Sequence, residues 1–374
     1  MARAPSPTIV LSAGELSGDM HAAHVVSALR RVLPGAEVAG MAGRSCANAG
    51  MDVRFHHRDY AVIGFTGVLA GLPRFARLER AMRRLIDRAD LFVPVDYPGL
   101  NLRLCAYARA RGVPVLYYIS PQIWAWGAGR MQKIRATVDR MAVVLPFETA
   151  LYREAGVDVE FVGHPFVVDH ELPDPLPPET RDHVALLPGS RVAEVRHMLP
   201  LFVAAAENLA TRVAGLRFKV ACSPVVGREV YRVLTARTWL DLELDSDAVP
   251  VLARARAALV ASGTATLQSA LLETPLVIAY RTSPLNYALA RRLVKIPHVG
   301  LVNVLLGERV APELVQGAAR PAAIAAALRS LLADSTARRA MVDRFRSLRA
   351  QLGGGRGAVR VAEMAAELIG RRGA

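Results

Sequence analysis

The residues able to do chemistry fall at a few breaks between apolar runs. Asp96 closes the run Leu91 to Val95 and is followed by Tyr97-Pro98. An earlier run, Thr8 to Ala13, ends in Gly14-Glu15-Leu16-Ser17-Gly18-Asp19. If both runs are strands of an open α/β sheet, their carboxyl ends face the ligand crevice, and Asp96 lies where chemistry occurs. The competing reading makes Asp96 an Asx-turn or a helix cap. Further on, Ser262-Gly263-Thr264 separates Ala257 to Val260 from a helical pattern through Leu267, Leu271 and Leu272, which Pro275 ends. Such a turn aims backbone N–H groups and the positive end of a helix dipole at an anion. Pro188-Gly189-Ser190-Arg191 repeats the device, Ser190 being placed to cap and Arg191 adding a guanidinium suited to bidentate phosphate contacts. Ser262 or Thr264 as a plain cap, and Arg191 as a solvated charge, are the bland alternatives. The pair of turns favours a nucleotide diphosphate.

The elements that must position these residues alternate strand and helix. Glu37 to Met41, Leu91 to Val95, Pro114 to Ile119, Met141 to Leu145 and Val159 to Val162 read as strands after Thr8 to Ala13. The alternation restarts at His183 to Leu187, Phe218 to Cys222, Ala257 to Val260 and Leu276 to Tyr280. Between the halves, Pro165 to Arg181 holds five prolines and no period, which marks a linker. The expected fold class is α/β with two doubly wound domains. The first spans residues 1–167, the linker 168–182 and the second domain 183–350, and a terminal helix over 351–374 returns to the first domain. Gly353-Gly354-Gly355 reads as a hinge before that helix.

Composition narrows the partners. The chain has 374 residues, is 52% hydrophobic and carries a formal charge of +14. Lys133, Lys219 and Lys295 are its lysines, so the charge is dispersed arginine without a basic tail, and nucleic acid is not expected. No uninterrupted apolar run reaches spanning length, and Thr8 to Ala13 is too short for a signal-peptide core. Cys46, Cys105 and Cys222 have neither metal nor redox spacing, which fits a reducing cytoplasm. The first glycine turn lacks the GxGxxG spacing, so a nicotinamide cofactor is not expected. Ala61 to Leu72 is apolar and glycine-rich, and the helix expected after Pro73 sets Phe75, Leu78, Met82 and Leu85 opposite Arg77, Arg80, Arg84 and Arg88. Such a segment suits an anionic bilayer surface or an ordinary packed helix. Ser120 to Trp126 holds two tryptophans in three residues, the composition of a loop that covers a substrate.

The ordered set of motifs is closer than any one of them. Ala13 to Asp19, Val95 to Asn101, Tyr117 to Trp126, Pro146-Phe147-Glu148, Phe161 to Pro165, Leu187 to Arg191, Ala261 to Leu267, and Asn303 to Leu306 with Pro312-Glu313-Leu314 resemble the lipid-A-disaccharide synthase family. The match runs from about Ile9 to Gln316. The resemblance implies the GT-B architecture, two Rossmann-like domains facing across a cleft. It implies an inverting hexosyltransferase that joins UDP-2,3-diacylglucosamine to 2,3-diacylglucosamine 1-phosphate, releasing UDP and the β-1,6-linked disaccharide of the lipid A pathway. It further implies no metal or other cofactor and peripheral association with the cytoplasmic face of the inner membrane; a homodimer is one open assembly.

Carried over position by position, the roles fall on Glu15 and Ser17, Asp96, Arg191 and Asn303. Direct displacement needs a base near the acceptor hydroxyl and a stabilised departing diphosphate. Asp96 is the first candidate base and Glu15 the second. Arg191 with Ser262, Gly263 and Thr264 would meet the charge on UDP. Three positions depart from the family pattern: Gly99 and Gly67 stand where the family has acids, and Gln268 where many GT-B enzymes hold the ribose with a glutamate. The nearest alternative is another GT-B protein acting on UDP-N-acetylglucosamine, an epimerase or a lipid-linked transferase.

Overall fold

The computed structural model describes residues 6–60, 64–124, 129–169, 171–283, 287, 297–333 and 335–373, with side chains for all of these except 64–72 and 372–373. The chain divides into two compact units, Met1–Asp169 with Leu352–Ala374, and His170–Gln351. Each is a parallel α/β sandwich.

In the first unit the strands are β1 (Thr8–Ala13), β2 (Glu37–Ala42), β3 (Asp52–His56), β4 (Leu91–Val95), β5 (Leu116–Tyr118), β6 (Arg140–Val143) and β7 (Val159–Phe161). They lie in the order β3-β2-β1-β4-β5-β6-β7, all parallel. The order reverses between β1 and β4, the switch point at which open α/β sheets place ligands. One face packs Val10, Phe92, Tyr117 and Met141 of the sheet against Leu78, Met82 and Ile86, Leu104 and Ala108, and Ile134. On the other face the helix Leu16–Val32 packs against the helix Gly357–Gly373, burying Val25, Leu29, Val361 and Ala365. The second helix is tied to the sheet by ions: Arg360 bonds Glu160 at 2.6 and 2.9 Å, and Arg140 bonds Glu160 and Glu367.

The second unit repeats the plan with β8 (His183–Leu187), β9 (Arg217–Ala221), β10 (Leu242–Asp245), β11 (Ala255–Val260), β12 (Leu276–Tyr280) and β13 (Glu313–Val315). Its order is β10-β9-β8-β11-β12-β13, again parallel, with the reversal between β8 and β11. The helices Val192–Ala210 and Pro321–Leu332 pack together and bury Leu199, Phe202, Ile324 and Leu328.

The strands that the sequence does not announce are β3, β10 and β13. All three are edge strands, half solvated, so they carry polar residues where a central parallel strand is continuously apolar. One helix also differs from expectation. It runs from Gly64 to Ile86 with Pro73 inside it rather than ahead of it. Its amphipathic pattern is as read: Leu78 and Met82 are buried, and Arg77, Arg80 and Arg84 are exposed. Ala61–Ile63 lie outside the described residues, and among the described residues no helix is long and apolar enough to cross a membrane.

Candidate functional site

Register sets the turns of the first unit. Ala13 pairs with Val95 across β1 and β4, so the turn that follows each strand emerges at the same edge. The Tyr97 ring lies over Gly14 so closely that a Cβ there would meet it at 2.2 Å. Asp96 and Tyr97 both take left-handed backbone, φ 44° and 50°, a costly conformation for residues with a Cβ. What holds it is a buried bracket. Asn101, in the helix Pro98–Ala110, donates to the Asp96 carbonyl at 2.7 Å and accepts from the Ser12 hydroxyl at 2.7 Å. The Tyr117 hydroxyl donates to the same carbonyl at 2.7 Å, and the Asp96 N–H bonds the carbonyls of Tyr118 and Ile119. The Asp96 backbone is thereby fixed at the switch point. Burial pushes its carboxyl up to about 6, with the charge of Glu15 adding to the rise and the Tyr97 N–H and His21 opposing it.

The Glu15 turn is braced separately. Glu15 and Ser17 are exposed, and Glu15 is the residue at which the helix Leu16–Val32 begins, with no side-chain cap. Asp19, buried one turn later, accepts from the N–H groups of Gly43, Ser45 and Cys46 at 2.7, 3.0 and 3.1 Å. Those bonds hold its carboxyl below the ordinary value, although burial, the largest influence, acts in the opposite direction. Asp19 therefore fastens the start of the helix Leu16–Val32 to the segment after β2.

Sequence reasoning passed over a third carboxylate. Glu148, in the helix Pro146–Glu154, is 1% exposed. Its Oε1 accepts from Ser120 Oγ at 2.6 Å and Trp124 Nε1 at 3.1 Å. Burial lifts it to about 7; Ser120, Trp124 and the Leu145 N–H oppose that rise, while Asp96 adds to it. Trp124 also stands edge-on to Phe147, centroids 5.3 Å apart. The signal that could have found Glu148 was its place in the Pro-Phe-Glu motif beside the aromatic loop. Trp126 lies outside the described residues.

Register also places the turns of the second unit. Val260 pairs with Leu187, and the Ala261 N–H bonds the Leu187 carbonyl at 2.9 Å, which sets the two turns side by side at the reversal of that sheet. Their details differ from expectation. Gly263, at φ 132°, is the residue where the helix Thr264–Leu271 begins, and neither Ser262 nor Thr264 caps it. Ser262 Oγ instead donates to the Val299 carbonyl at 2.8 Å, so the hydroxyl anchors a neighbouring loop. In the other turn Arg191, not Ser190, takes the cap position, with its side chain exposed. The Ser190 N–H donates to Glu194 Oε2 at 3.0 Å, and the Glu194 carboxyl lies 2.3 Å from where a Cβ on Gly189 would be. An acidic side chain folds over the very turn expected to hold an anion.

Asn303 behaves unlike a ligand contact. It is fully buried; its amide donates to the Ala311 carbonyl at 2.8 Å and to Glu313 at 2.9 Å, and its oxygen accepts from the Ala311 N–H at 2.9 Å. Glu313 in turn accepts from the N–H groups of Val299 and Gly300. Asn303 thus shapes the loop that Ser262 touches. Gln268 is half-buried on the helix that starts at Thr264. Glu273 lies past that helix and pairs with Arg346 at 2.9 Å. Gly99 is exposed, and a Cβ at that position would meet nothing within 4 Å, whereas Gly67 is in the stretch whose side chains are not described. Among the described residues no group of His, Cys, Asp or Glu could hold a metal ion.

A family profile described as lipid-A-disaccharide synthetase matches residues 9–368. The chain belongs to the lipid-A-disaccharide synthase family. Its relatives include the lipid-A-disaccharide synthases of Syntrophus aciditrophicus (strain SB), 39% identical over 97% of this chain and 98% of the relative, and of Anaeromyxobacter sp. (strain K), 41% identical over 95% and 96%. Among solved structures a calicheamicin glycosyltransferase superposes with a TM-score of 0.61 at 16% identity, covering 99% of both chains. That likeness establishes the GT-B glycosyltransferase fold for this member of the family.

Proposed function

We propose that this glycosyltransferase joins UDP-2,3-diacylglucosamine to the 6-hydroxyl of 2,3-diacylglucosamine 1-phosphate, with inversion at the anomeric carbon. The observation that carries the reading is Asp96: a family-motif carboxylate at a sheet switch point, locked in left-handed backbone, with a proton affinity near neutrality. In the step proposed, Asp96 takes the proton of the acceptor hydroxyl as its oxygen bonds to the anomeric carbon. The bond from that carbon to the diphosphate breaks, and UDP leaves with the electron pair. Arg191 and the N–H groups at the start of the helix Thr264–Leu271 are suited to the charge that develops on the diphosphate. Glu15 supports the base rather than replacing it: exposed in its turn, its charge helps keep Asp96 protonatable. Gln268 is assigned to the nucleotide side, and Ser17 to the acceptor side.

Purified protein supplied with both lipid substrates should yield UDP and a tetraacyl disaccharide. Asp96→Asn should lose turnover by orders of magnitude while binding UDP normally. Absence of the disaccharide sinks the substrate assignment, and near-normal turnover in the variant removes Asp96 as base. The lipid substrates call for a peripheral station on the cytoplasmic face of the membrane, and the exposed Arg77, Arg80 and Arg84 supply a surface for anionic headgroups. Sedimentation with anionic liposomes should fall as salt rises; no binding at low salt removes this part.

A further inference from the structure

The second unit holds a cavity on the side away from its glycine turns. Its volume is about 760 Å³, and every residue lining it lies within His170–Gln351. Arg181 precedes β8, Arg256 stands near the start of β11 and Glu273 precedes β12, so the cavity lies at the amino ends of these parallel strands. The turns at Ser190 and Ser262 follow the carboxyl ends of β8 and β11. The length of β8 separates the two places by roughly 16 Å, at about 3.3 Å per residue.

Arg256 is out of character in its strand. The rest of β11 is Ala255 and Ala257 to Val260, all buried, in the centre of the sheet. The register explains how an arginine is accommodated. Ala255 pairs with His183 and Ala257 with the next residue, Val184, so Arg256 is the extra residue of a bulge. A bulge bends its strand and re-aims a side chain, here into the wall of the cavity. The Arg256 carbonyl accepts from Arg338 Nη1 at 2.8 Å. Its half-buried guanidinium has no hydrogen-bond or carboxylate partner among the described residues.

Arg181 is buried, 6% exposed, and every bond it makes is to a neutral acceptor. Its Nε and Nη2 donate to the Leu176 carbonyl at 3.2 and 2.9 Å, and Nη2 also to the Leu272 carbonyl at 2.9 Å. Nη1 donates to Thr274 Oγ1 at 2.8 Å and to the Ala255 carbonyl at 3.3 Å. Its donors are satisfied, yet its charge faces no bonded carboxylate, and a buried cation in that state is costly. The same bonds fasten Leu176, and with it the run Pro175–Pro178 that forms an apolar part of the lining together with Leu332 and Val342. On the helix Thr336–Leu352, Arg338, Arg339 and Arg346 complete the basic part. Glu273 and Asp343 also line the cavity, and both bond Arg346, at 2.9 and 3.1 Å. Among the described lining residues five arginines thus meet two acids. Asp334, close by in sequence, lies outside the described residues.

We propose that this cavity is a second ligand site, which takes a soluble organic phosphate with its phosphoryl group on Arg256 and Arg339 and its apolar body against the Pro175–Pro178 run. A phosphate dianion supplies the counter-charge that Arg181 and Arg256 lack, and the free fork of Arg256 suits two of its oxygens. The wall is formed in advance, because Arg181 holds it through backbone carbonyls. The volume is that of a small-molecule site. Nothing in this site depends on Asp96 or on the nucleotide turns, so its ligand is distinct from a sugar nucleotide bound there.

The test is calorimetric titration of the full-length protein at low salt with phenyl phosphate and with inorganic phosphate. Phenyl phosphate should bind saturably, several-fold more tightly than inorganic phosphate, because its ring leaves water against the proline run. Arg256→Gln should weaken it by about tenfold or more, the size of one charge-assisted hydrogen bond. Should that strand variant fold poorly, Arg339→Gln, exposed on its helix, serves instead with a loss in the same direction. Arg191→Gln should leave the binding unchanged, and amide hydrogen exchange should slow at 175–181 and 338–346 when the ligand is added. Absence of saturable binding to the wild type overturns the proposal, as does binding that neither cavity variant weakens. Binding lost in Arg191→Gln but kept in Arg256→Gln also overturns it, since the probe would then sit in the nucleotide turn. Equal affinity for the two probes rejects the organic body. Failure of the transferase reading is separate: it shows as absence of disaccharide and leaves each of these titrations as expected.

Discussion

Asp96→Asn should make the protein more stable and nearly inactive, and the stabilisation should depend on pH. Burial and the Glu15 charge raise the Asp96 carboxyl from 3.8 to about 6. The unfolded chain releases this proton near 3.8 and the folded chain near 6, so between those values the folded state binds more protons. Stability contributed by this group is therefore present at low pH and lost as pH rises through that window. A displacement of roughly two pH units at about 1.4 kcal/mol each makes the ionised carboxylate a burden of about 3 kcal/mol above pH 6. Asparagine carries no charge at any pH and removes that burden. Urea denaturation of the full chain at pH 4 and pH 8 should give nearly equal midpoints for wild type and variant at the lower value, and a more stable variant at the higher one. Turnover should fall by orders of magnitude throughout. A stability difference of the same size at both pH values would refute the argument, since it would mean that Asp96 is not held against its own ionisation.

Other expectations follow from the same geometry. Asn101→Ala removes the donor to the Asp96 carbonyl and the acceptor for Ser12, and should cost about 2–4 kcal/mol in urea denaturation along with most of the turnover; a loss of stability alone would mean that the left-handed turn holds itself. Asn303→Ala strips bonds from Ala311 and Glu313, and should destabilise by about 2–3 kcal/mol and raise the KM for the UDP-sugar through the loop bonded to Ser262, with kcat the less affected. Gly99→Asp enters open space in the first turn of a helix, so stability should change by no more than about 1 kcal/mol, while the acid limb of kcat/KM moves upward because a new negative charge lies three residues from Asp96.

What the sequence made legible, and what it hid, follows one physical line. Central parallel strands are buried on both faces, so β1, β4, β8 and β12 stand out as apolar runs with their present boundaries, and in each sheet their carboxyl ends mark one edge without further information. Edge strands announce nothing of the kind. Side-chain destinations were legible only where backbone alone decides them. The left-handed pair Asp96-Tyr97 had no glycine to betray it, and the bracket that imposes it comes from Ser12, Asn101 and Tyr117, on three different elements. Ser190, Ser262 and Asn303 carry the right chemistry for a phosphate or a cap, yet the structure engages Ser190 with Glu194, Ser262 with Val299, and Asn303 with Ala311 and Glu313. Glu148 is the sharpest case. By sequence it is an acid in the first turn of a helix, where a solvated charge is the ordinary expectation, and only the loop folded across it turns that position into a buried acid. A motif therefore locates a site well before it says which of its residues reach the substrate. In this chain the residues that hold Asp96 in place, Ser12, Asn101 and Tyr117, come from elements that no single motif spans.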